Sequence, residues 1–209
     1  MKNKVYEYEP GELVKEAAKM FKPGCSILDL GCGIGRDSIY LDLSGFNVTP
    51  VDISDKVIEY LKELAKKEKL RMKPMKVDVK IPSELSRLRN YDVIICMNLL
   101  QLLYKDYLDH LIYSMKMHTN LGGYNVIKTF TDLECKEEDG NISKTVVRKS
   151  NEFNLRERYW DWSIEKYQEG WENWESHEEL KKEHRHYLLN LIAKNKLPLQ
   201  LGYNKSRQK

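Results

Sequence analysis

The chain is short of several things, and each shortage narrows what it can be. It has four cysteines in 209 residues, Cys25, Cys32, Cys96 and Cys135, with no C-x-x-C pair among them. That excludes a zinc ribbon and argues against a disulfide framework; thiols kept reduced point to a cytoplasmic location. No apolar run approaches the roughly 20 residues a membrane helix needs. The start, Met1-Lys2-Asn3-Lys4-Val5-Tyr6-Glu7, leads into charges and not into an apolar stretch, so no secretory signal is read. Net charge is also scarce: 35 Lys and Arg against 32 Asp and Glu give +3, and 41% of residues are hydrophobic, which excludes disorder for most of the chain. The basic excess is local. Five basic and no acidic residues lie between Lys194 and Lys209, and without them the remainder is at −2. Such an end reads as a solubilising tail, and the acidic cluster Asp132, Glu134, Glu137, Glu138 and Asp139 would repel a phosphate backbone. Neither a nucleic-acid nor a membrane partner is expected. Repeats and low-complexity linkers are lacking, so residues 1–195 are read as a single domain and 196–209 as a basic, flexible tail.

What is present is an alternation. Leu13, Val14, Ala17, Ala18 and Phe21 have helical spacing over 11–22, and Pro23-Gly24 ends that helix. Ser26–Leu30 is a short apolar run closing on glycines, hence a buried strand. A helix over 36–44 ends near Gly45, and Phe46–Val51 is a second strand. Ser54 caps a helix whose apolar face is Val57, Ile58, Leu61, Leu64 and Ala65. A weaker strand follows near Met72–Val79, then a short helix opened by Pro82. Tyr91–Cys96 is strongly β-branched. Tyr104, Tyr107, Leu108, Leu111, Ile112 and Met115 make the clearest amphipathic helix, and Gly122-Gly123 turns into a strand over Tyr124–Phe130. Strand–helix alternation of this kind predicts an α/β fold: a doubly wound, mostly parallel sheet with helices on both faces. The last quarter differs. A short helix near Asn151–Tyr159 precedes an alternating run, Trp160–Ile164, and His186–Ala193 is a mostly apolar strand. Two late strands without a crossover helix predict an antiparallel pair at one sheet edge.

The sharpest signal is Asp29-Leu30-Gly31-Cys32-Gly33-Ile34-Gly35-Arg36, which follows a strand and opens a helix. Glycines let the chain turn tightly and bring backbone N–H groups close to a ligand, and a helix N-terminus favours a negative group. In open α/β sheets ligands bind here, outside the carboxyl ends of the strands. A dinucleotide fingerprint needs a third glycine where Arg36 stands, which disfavours a nicotinamide oxidoreductase. The pattern is D-x-G-x-G-x-G, with acids at the next two strand ends. Asp52 is placed to accept from both hydroxyls of a ribose, and Asp78, in Lys76-Val77-Asp78-Val79, from an adenine amino group. Cys32, between glycines, reads as a small packed residue.

On these residues the chain resembles the class I S-adenosylmethionine-dependent methyltransferases and, more narrowly, the tellurite-resistance methyltransferase (TehB) group. The narrower resemblance rests on Ile27–Arg36, on His118-Thr119-Asn120-Leu121-Gly122-Gly123-Tyr124-Asn125-Val126-Ile127 and on Asn151-Glu152-Phe153 through Trp162, and spans about 10–194. It implies a seven-stranded, Rossmann-like sheet with one antiparallel C-terminal edge strand. It implies S-adenosyl-L-methionine as cofactor, with Asp29, Gly31, Gly33 and Gly35 around the methionine portion, Arg36 at the helix start, Asp52 and Ile53 at the ribose, and Asp78 and Val79 at the adenine. Asn98, after the fourth strand, stands where the group has an apolar residue and is read as touching the methionine amine or the acceptor. His177 and Arg185 fall where the group keeps a histidine and arginines near the acceptor.

The methyl on a sulfonium is already activated, so the protein mainly orients donor and acceptor and excludes water. No metal is required, and none of the five histidines, His110, His118, His177, His184 and His186, has a carboxylate or thiol at ligand spacing; His184 and His186 share a strand face. His177 is the candidate base. Arg185 would orient an anionic acceptor or pair with Glu183 or Glu179. Trp160 and Trp162 are read as core residues of one strand face, and Trp171 and Trp174 as a loop that either covers the acceptor or packs. The chain departs from the group at Glu178, where arginine is usual, and at Tyr8-Glu9-Pro10-Gly11, where basic residues are usual. Two positive charges become Glu9 and Glu178. The expected acceptor is therefore a small soft nucleophile, a thiol or chalcogen compound, in place of a multiply charged tellurite-type oxyanion. The alternative is a non-enzymatic S-adenosylmethionine-binding regulatory protein that has lost acceptor chemistry.

Overall fold

Glycine or proline stands at most of the switches between apolar run and helix, and element boundaries fall there. The structure, a computed structural model, describes residues 9–136, 142–146, 153–174 and 183–196. In chain order the elements are α1 (Glu12–Ala18), β1 (Ser26–Leu30), α2 (Arg36–Leu43), β2 (Asn47–Asp52), α3 (Asp55–Glu68), β3 (Met75–Lys76), α4 (Pro82–Leu85), β4 (Tyr91–Met97), α5 (Lys105–Met117), β5 (Thr119–Lys136), β6 (Ile142–Val146), α6 (Leu155–Arg158), β7 (Ser163–Trp171) and β8 (His184–Lys194).

One sheet holds all the described strands, in the order β3-β2-β1-β4-β5-β8-β7, with β6 paired to β5 off that path. The first five strands of that order are parallel; β8 runs antiparallel to both β5 and β7. The late antiparallel pair is as the sequence predicts. The C-terminal β8 is the antiparallel strand of the seven-strand path, and β7 lies outside it as the edge. Helices cover both faces. Leu13, Val14, Ala17, Ile39, Leu41, Leu61 and Ala65 bring α1, α2 and α3 onto one face, against Ile27, Val48, Ile95 and Val126. Leu85, Leu108, Leu111, Ile112, Met115 and Leu155 bring α4, α5 and α6 onto the other, against Leu28, Ile94, Cys96 and Ile127.

Ser54 caps α3 as predicted, its Oγ accepting from the Val57 N–H at 3.4 Å. Two strings that carry the narrower resemblance meet in one buried chain of hydrogen bonds. The Tyr159 hydroxyl donates to Asn125 Oδ1 at 2.7 Å, Asn125 Nδ2 to Thr119 Oγ1 at 2.7 Å, and Thr119 Oγ1 to the Met115 carbonyl at 2.7 Å. These residues tie α6 and α5 to β5, so their part is structural.

Three expectations change. The third strand shrinks from 72–79 to two residues, because Pro74 has no N–H for a ladder and β3 is the sheet edge. The strand expected at Trp160–Ile164 begins only at Ser163, because Tyr159 to Trp162 form a turn closed by Trp162 N–H donating to the Tyr159 carbonyl at 2.9 Å. The turn separates the two indoles: Trp162 is 6% exposed and packs edge-on against Tyr159, whereas Trp160 is 81% exposed. Strand β7 then continues to Trp171, which is a strand end and not a loop. The residues expected as a tail lie, beyond Lys196, outside the described residues.

Candidate functional site

The carboxyl ends of β1, β2 and β4 lie side by side, and the glycine loop after β1 folds over them. Gly31 and Cys32 donate their N–H groups to the Val51 carbonyl at 2.9 and 3.0 Å, which holds the loop against the end of β2. Gly35 has φ +81 and caps α2; a Cβ there would stand 2.5 Å from Leu61 Cδ2. Gly33 has φ +51, and a Cβ there would meet nothing within 4 Å. The loop's backbone therefore borders open space at Gly33 while it is packed at Gly35.

Three acids surround that loop. Asp29, 2% exposed at the end of β1, accepts a 2.6 Å hydrogen bond from Ser38 Oγ on α2. Burial pushes its carboxyl up to about 7, with the nearby charges of Asp37 and Asp52 adding to the shift and Ser38 and Arg36 opposing it. Asp37, 6% exposed in the first turn of α2, accepts the Gly11 N–H at 2.7 Å, which fastens the start of α1 to the loop. Burial raises it as well, against the N–H of Gly11 and the charges of Arg36 and Lys128. Asp52 ends β2. One oxygen accepts the Gly33 N–H at 3.1 Å and the other the Ser54 N–H at 2.9 Å, so it ties the glycine loop to the start of α3 and keeps further lone pairs for a ligand. Ile53, beside it, is 51% exposed.

Asp78 lies past the end of β3. The Val77 N–H donates to the Asp52 carbonyl at 3.1 Å, which sets Asp78 and the buried Val79 beside the end of β2. Asp78 Oδ1 accepts from the Lys80 N–H, and its own N–H donates to Glu84. Asn98 follows β4 in a left-handed conformation, φ +55, with its N–H on the Lys128 carbonyl at 2.8 Å. Its Oδ1 is buried without a hydrogen-bond partner among the described residues. Arg36 opens α2 with a half-exposed side chain, 4.0 Å from Asp37.

Arg185 is held differently from its sequence reading. Its partner is Glu134 on β5, at 2.9 Å from Nε and 2.8 Å from Nη2, and Glu183 pairs with Lys136 instead. The guanidinium stands 4.9 Å from the Trp171 ring and 4.7 Å from the Trp174 ring. Lys144 faces Trp171 at 5.1 Å and Lys136 faces Trp174 at 4.7 Å, so cations and indoles form a ladder across the strands. His177, Glu178 and Glu179 lie outside the described residues. Glu9 is exposed and stands 3.9 Å from Lys15. The His184 and His186 rings meet at 5.3 Å, and among the described residues no cluster of three His, Cys, Asp or Glu is arranged to hold a metal. No helix of the described residues is long and apolar enough to cross a membrane.

Sequence reasoning missed Ser38, Asp37 and the pair Lys128–Glu172, joined at 3.2 Å. An acid directly after a glycine loop was a readable signal for Asp37. The Lys128–Glu172 pair spans 44 residues and has no local signature.

The sequence and the fold have known relatives. A family model described as "Tellurite resistance protein TehB" matches residues 3–185. The probable S-adenosyl-L-methionine-dependent methyltransferase TehB of Haemophilus influenzae is 35% identical over 159 residues, 75% of this chain and 52% of the relative. The crystal structure of TehB from Haemophilus influenzae superposes with a TM-score of 0.72 at 31% identity, over 88% of this chain and 61% of that one. A magnesium protoporphyrin IX methyltransferase of Synechocystis PCC 6803, solved with bound SAM, shares the fold at 17% identity and a TM-score of 0.59, over 92% of this chain and 88% of its own. The chain spans about half the length of the curated relatives it matches.

Proposed function

Since the chain belongs to the TehB family, we propose that it is an S-adenosylmethionine-dependent methyltransferase whose acceptor is a small, soft nucleophile, a thiol or reduced chalcogen compound. The observation that carries the reading is the pairing of open space at Gly33 with buried, upward-shifted Asp29 on the strand that leads into the loop. A backbone cradle beside a carboxyl short of positive partners suits a ligand that brings a cation of its own, as a sulfonium does.

The residues fit such a donor. Asp29, Gly31, Gly33, Gly35 and Arg36 would hold its methionine portion, Asp52 and Ile53 its ribose, Asp78 and Val79 its adenine. Asn98 supplies a buried acceptor for the ammonium. When bound, S-adenosylmethionine would supply an activated methyl for bonding to the acceptor's lone pair, with the carbon–sulfur pair returning to the donor sulfur and the acceptor proton passing to His177. This chain's own residues bind and orient. Asp52 fixes the loop through Gly33, and Asp37 fixes the start of α1 through Gly11. Such positioning is worth roughly 7–11 kcal/mol in favourable systems.

A soft acceptor is favoured over an oxyanion because Arg185, the arginine expected near the acceptor, is already neutralised by Glu134 and stacked between indoles. His177 is the base in this reading. A thiol needs little of it, being a few per cent ionised at neutral pH; His177→Ala then lowers the rate by at most about a hundredfold. A cytoplasmic site of action and a role in tellurite-type detoxification accompany the reading through the family. The test is methyl transfer to a thiol, a hydroselenide, selenite and tellurite, each without added reductant. The thiol and hydroselenide should be methylated; preference for the two oxyanions sinks the reading.

A further inference from the structure

Lys128 of β5 pairs in register with Met97, the last residue of β4. Beyond it β5 runs on to Lys136, flanked by the antiparallel β6 and β8, with the end of β7 paired to β8, in a wing above the sheet's carboxyl edge. A cavity of about 460 Å³ opens on this wing between β7, β8 and residues 172–174. Its walls include the indoles of Trp171 and Trp174, the side chain of Leu188, and the amides of Gln168 and Asn190.

Three features define what the cavity can take. The first is size. Sites for organic ligands occupy roughly 300–1,000 Å³, whereas an inorganic chalcogenide is little larger than a water, whose share of liquid volume is about 30 Å³. The second is charge. The described lining residues include no lysine, arginine or histidine; the cations stacked on the indoles, Arg185, Lys144 and Lys136, are each paired with a carboxylate, Glu134, Asp132 and Glu183, and the lining Glu172 is matched by Lys128 at 3.2 Å. The third is a hydrogen-bond vacancy. Asn190 lines the cavity and its Oδ1 is enclosed with no partner among the described residues, so a turn of the amide toward a ligand donor relieves an unfavourable state. The indoles are pre-set by the Arg185 guanidinium between them, which removes part of the ordering cost of binding.

We propose that this cavity is the acceptor site and that the acceptor is an organic thiol. Its apolar body meets the edges of the Trp171 and Trp174 indoles and the Leu188 side chain, an N–H or O–H donor meets Asn190, and its sulfur points to the Lys128 end, where β4 and β5 reach the carboxyl edge. This rests on the methyltransferase reading and goes further, naming a substrate body and the residues that select it. Arg185 is then a positioning residue that acts through the two indoles.

The experiment uses three thiols and one unreactive probe on the full chain. Methyl transfer is measured with hydrosulfide, thiophenol and 4-acetamidothiophenol, each corrected for the uncatalysed rate. Binding of acetanilide, which has no thiol, is followed by tryptophan fluorescence without any donor present. Acetanilide should bind saturably. Asn190→Leu should weaken it about fivefold, the loss of one ordinary hydrogen bond. Leu188→Trp, which fills the cavity from another wall, should weaken it as well; circular dichroism checks that both variants fold. kcat/KM should be at least tenfold higher for 4-acetamidothiophenol than for hydrosulfide, and Asn190→Leu should erase its advantage over thiophenol. Equal use of the three thiols, with acetanilide binding unmoved by both variants, overturns the cavity assignment and leaves the methyltransferase reading standing. Failure to methylate any of them overturns both.

Discussion

Ser38 Oγ donates a 2.6 Å hydrogen bond to Asp29 Oδ2, joining the end of β1 to the first turns of α2 beneath the glycine loop. Among the described residues it is the hydrogen bond that opposes a shift by which burial pushes this carboxyl up to about 7. A cationic donor binds the ionised form better, so S-adenosylmethionine affinity should fall as pH drops through about 7, approaching tenfold per unit. Ser38→Ala should move that midpoint upward, and Asp29→Asn should flatten the profile. Calorimetry from pH 5.5 to 8.5 checks this; a pH-independent dissociation constant in the parent chain contradicts it.

The same carboxyl sets a stability trend. Its folded value lies above its ordinary one, so the unfolded chain loses this proton first, and its contribution to stability falls as pH rises from about 4 to about 7. Three units amount to on the order of 4 kcal/mol. Asp29→Asn should therefore gain stability relative to the parent across that window, read as the difference between urea midpoints at pH 5 and pH 8. Parallel curves for the two chains would show that Asp29 ionises freely.

Asp52→Ala should weaken donor binding more than tenfold. The carboxylate holds the Gly33 and Ser54 N–H groups at 3.1 and 2.9 Å, and charge-assisted bonds to a ligand add about 1.5–3 kcal/mol. Isothermal calorimetry checks it, and an unchanged constant would reduce Asp52 to a cap for α3.

Gly35→Ala should lower stability by about 2–4 kcal/mol. Its φ of +81 costs a side-chain-bearing residue about 1–2 kcal/mol, and the new Cβ stands 2.5 Å from Cδ2 of the fully buried Leu61, which must shift within the core. Thermal unfolding is the measurement; Gly33→Ala, with open space around its Cβ, should cost less.

The parallel half of the molecule was legible because its signals are local. Short apolar runs, glycines with positive φ and Ser54 as a cap all act within a few residues. Asp29, Asp52 and the loop were found for the same reason. The wing was not legible. Lys166-Tyr167-Gln168-Glu169 lie on an edge strand half in solvent, so β7 reads as loop, and β6, Ile-Ser-Lys-Thr-Val, is as polar. Trp160 was misplaced because alternation was carried through a turn. Arg185 was read from its neighbours Glu183 and Glu179, but its carboxylate comes from Glu134, 51 residues away across the β5–β8 ladder. Asn190 and Lys128 became interesting only when register set them side by side.

The most direct measurement of the account is product formation. Purified chain, S-adenosylmethionine and thiophenol are combined, and S-adenosylhomocysteine and methyl phenyl sulfide are quantified together by mass spectrometry. The account predicts one of each per turnover, at a rate that Asp52→Ala depresses when the donor is below saturation. Tight donor binding with no S-adenosylhomocysteine formed from thiophenol or a hydroselenide would contradict it and leave a protein that binds the donor without transferring its methyl.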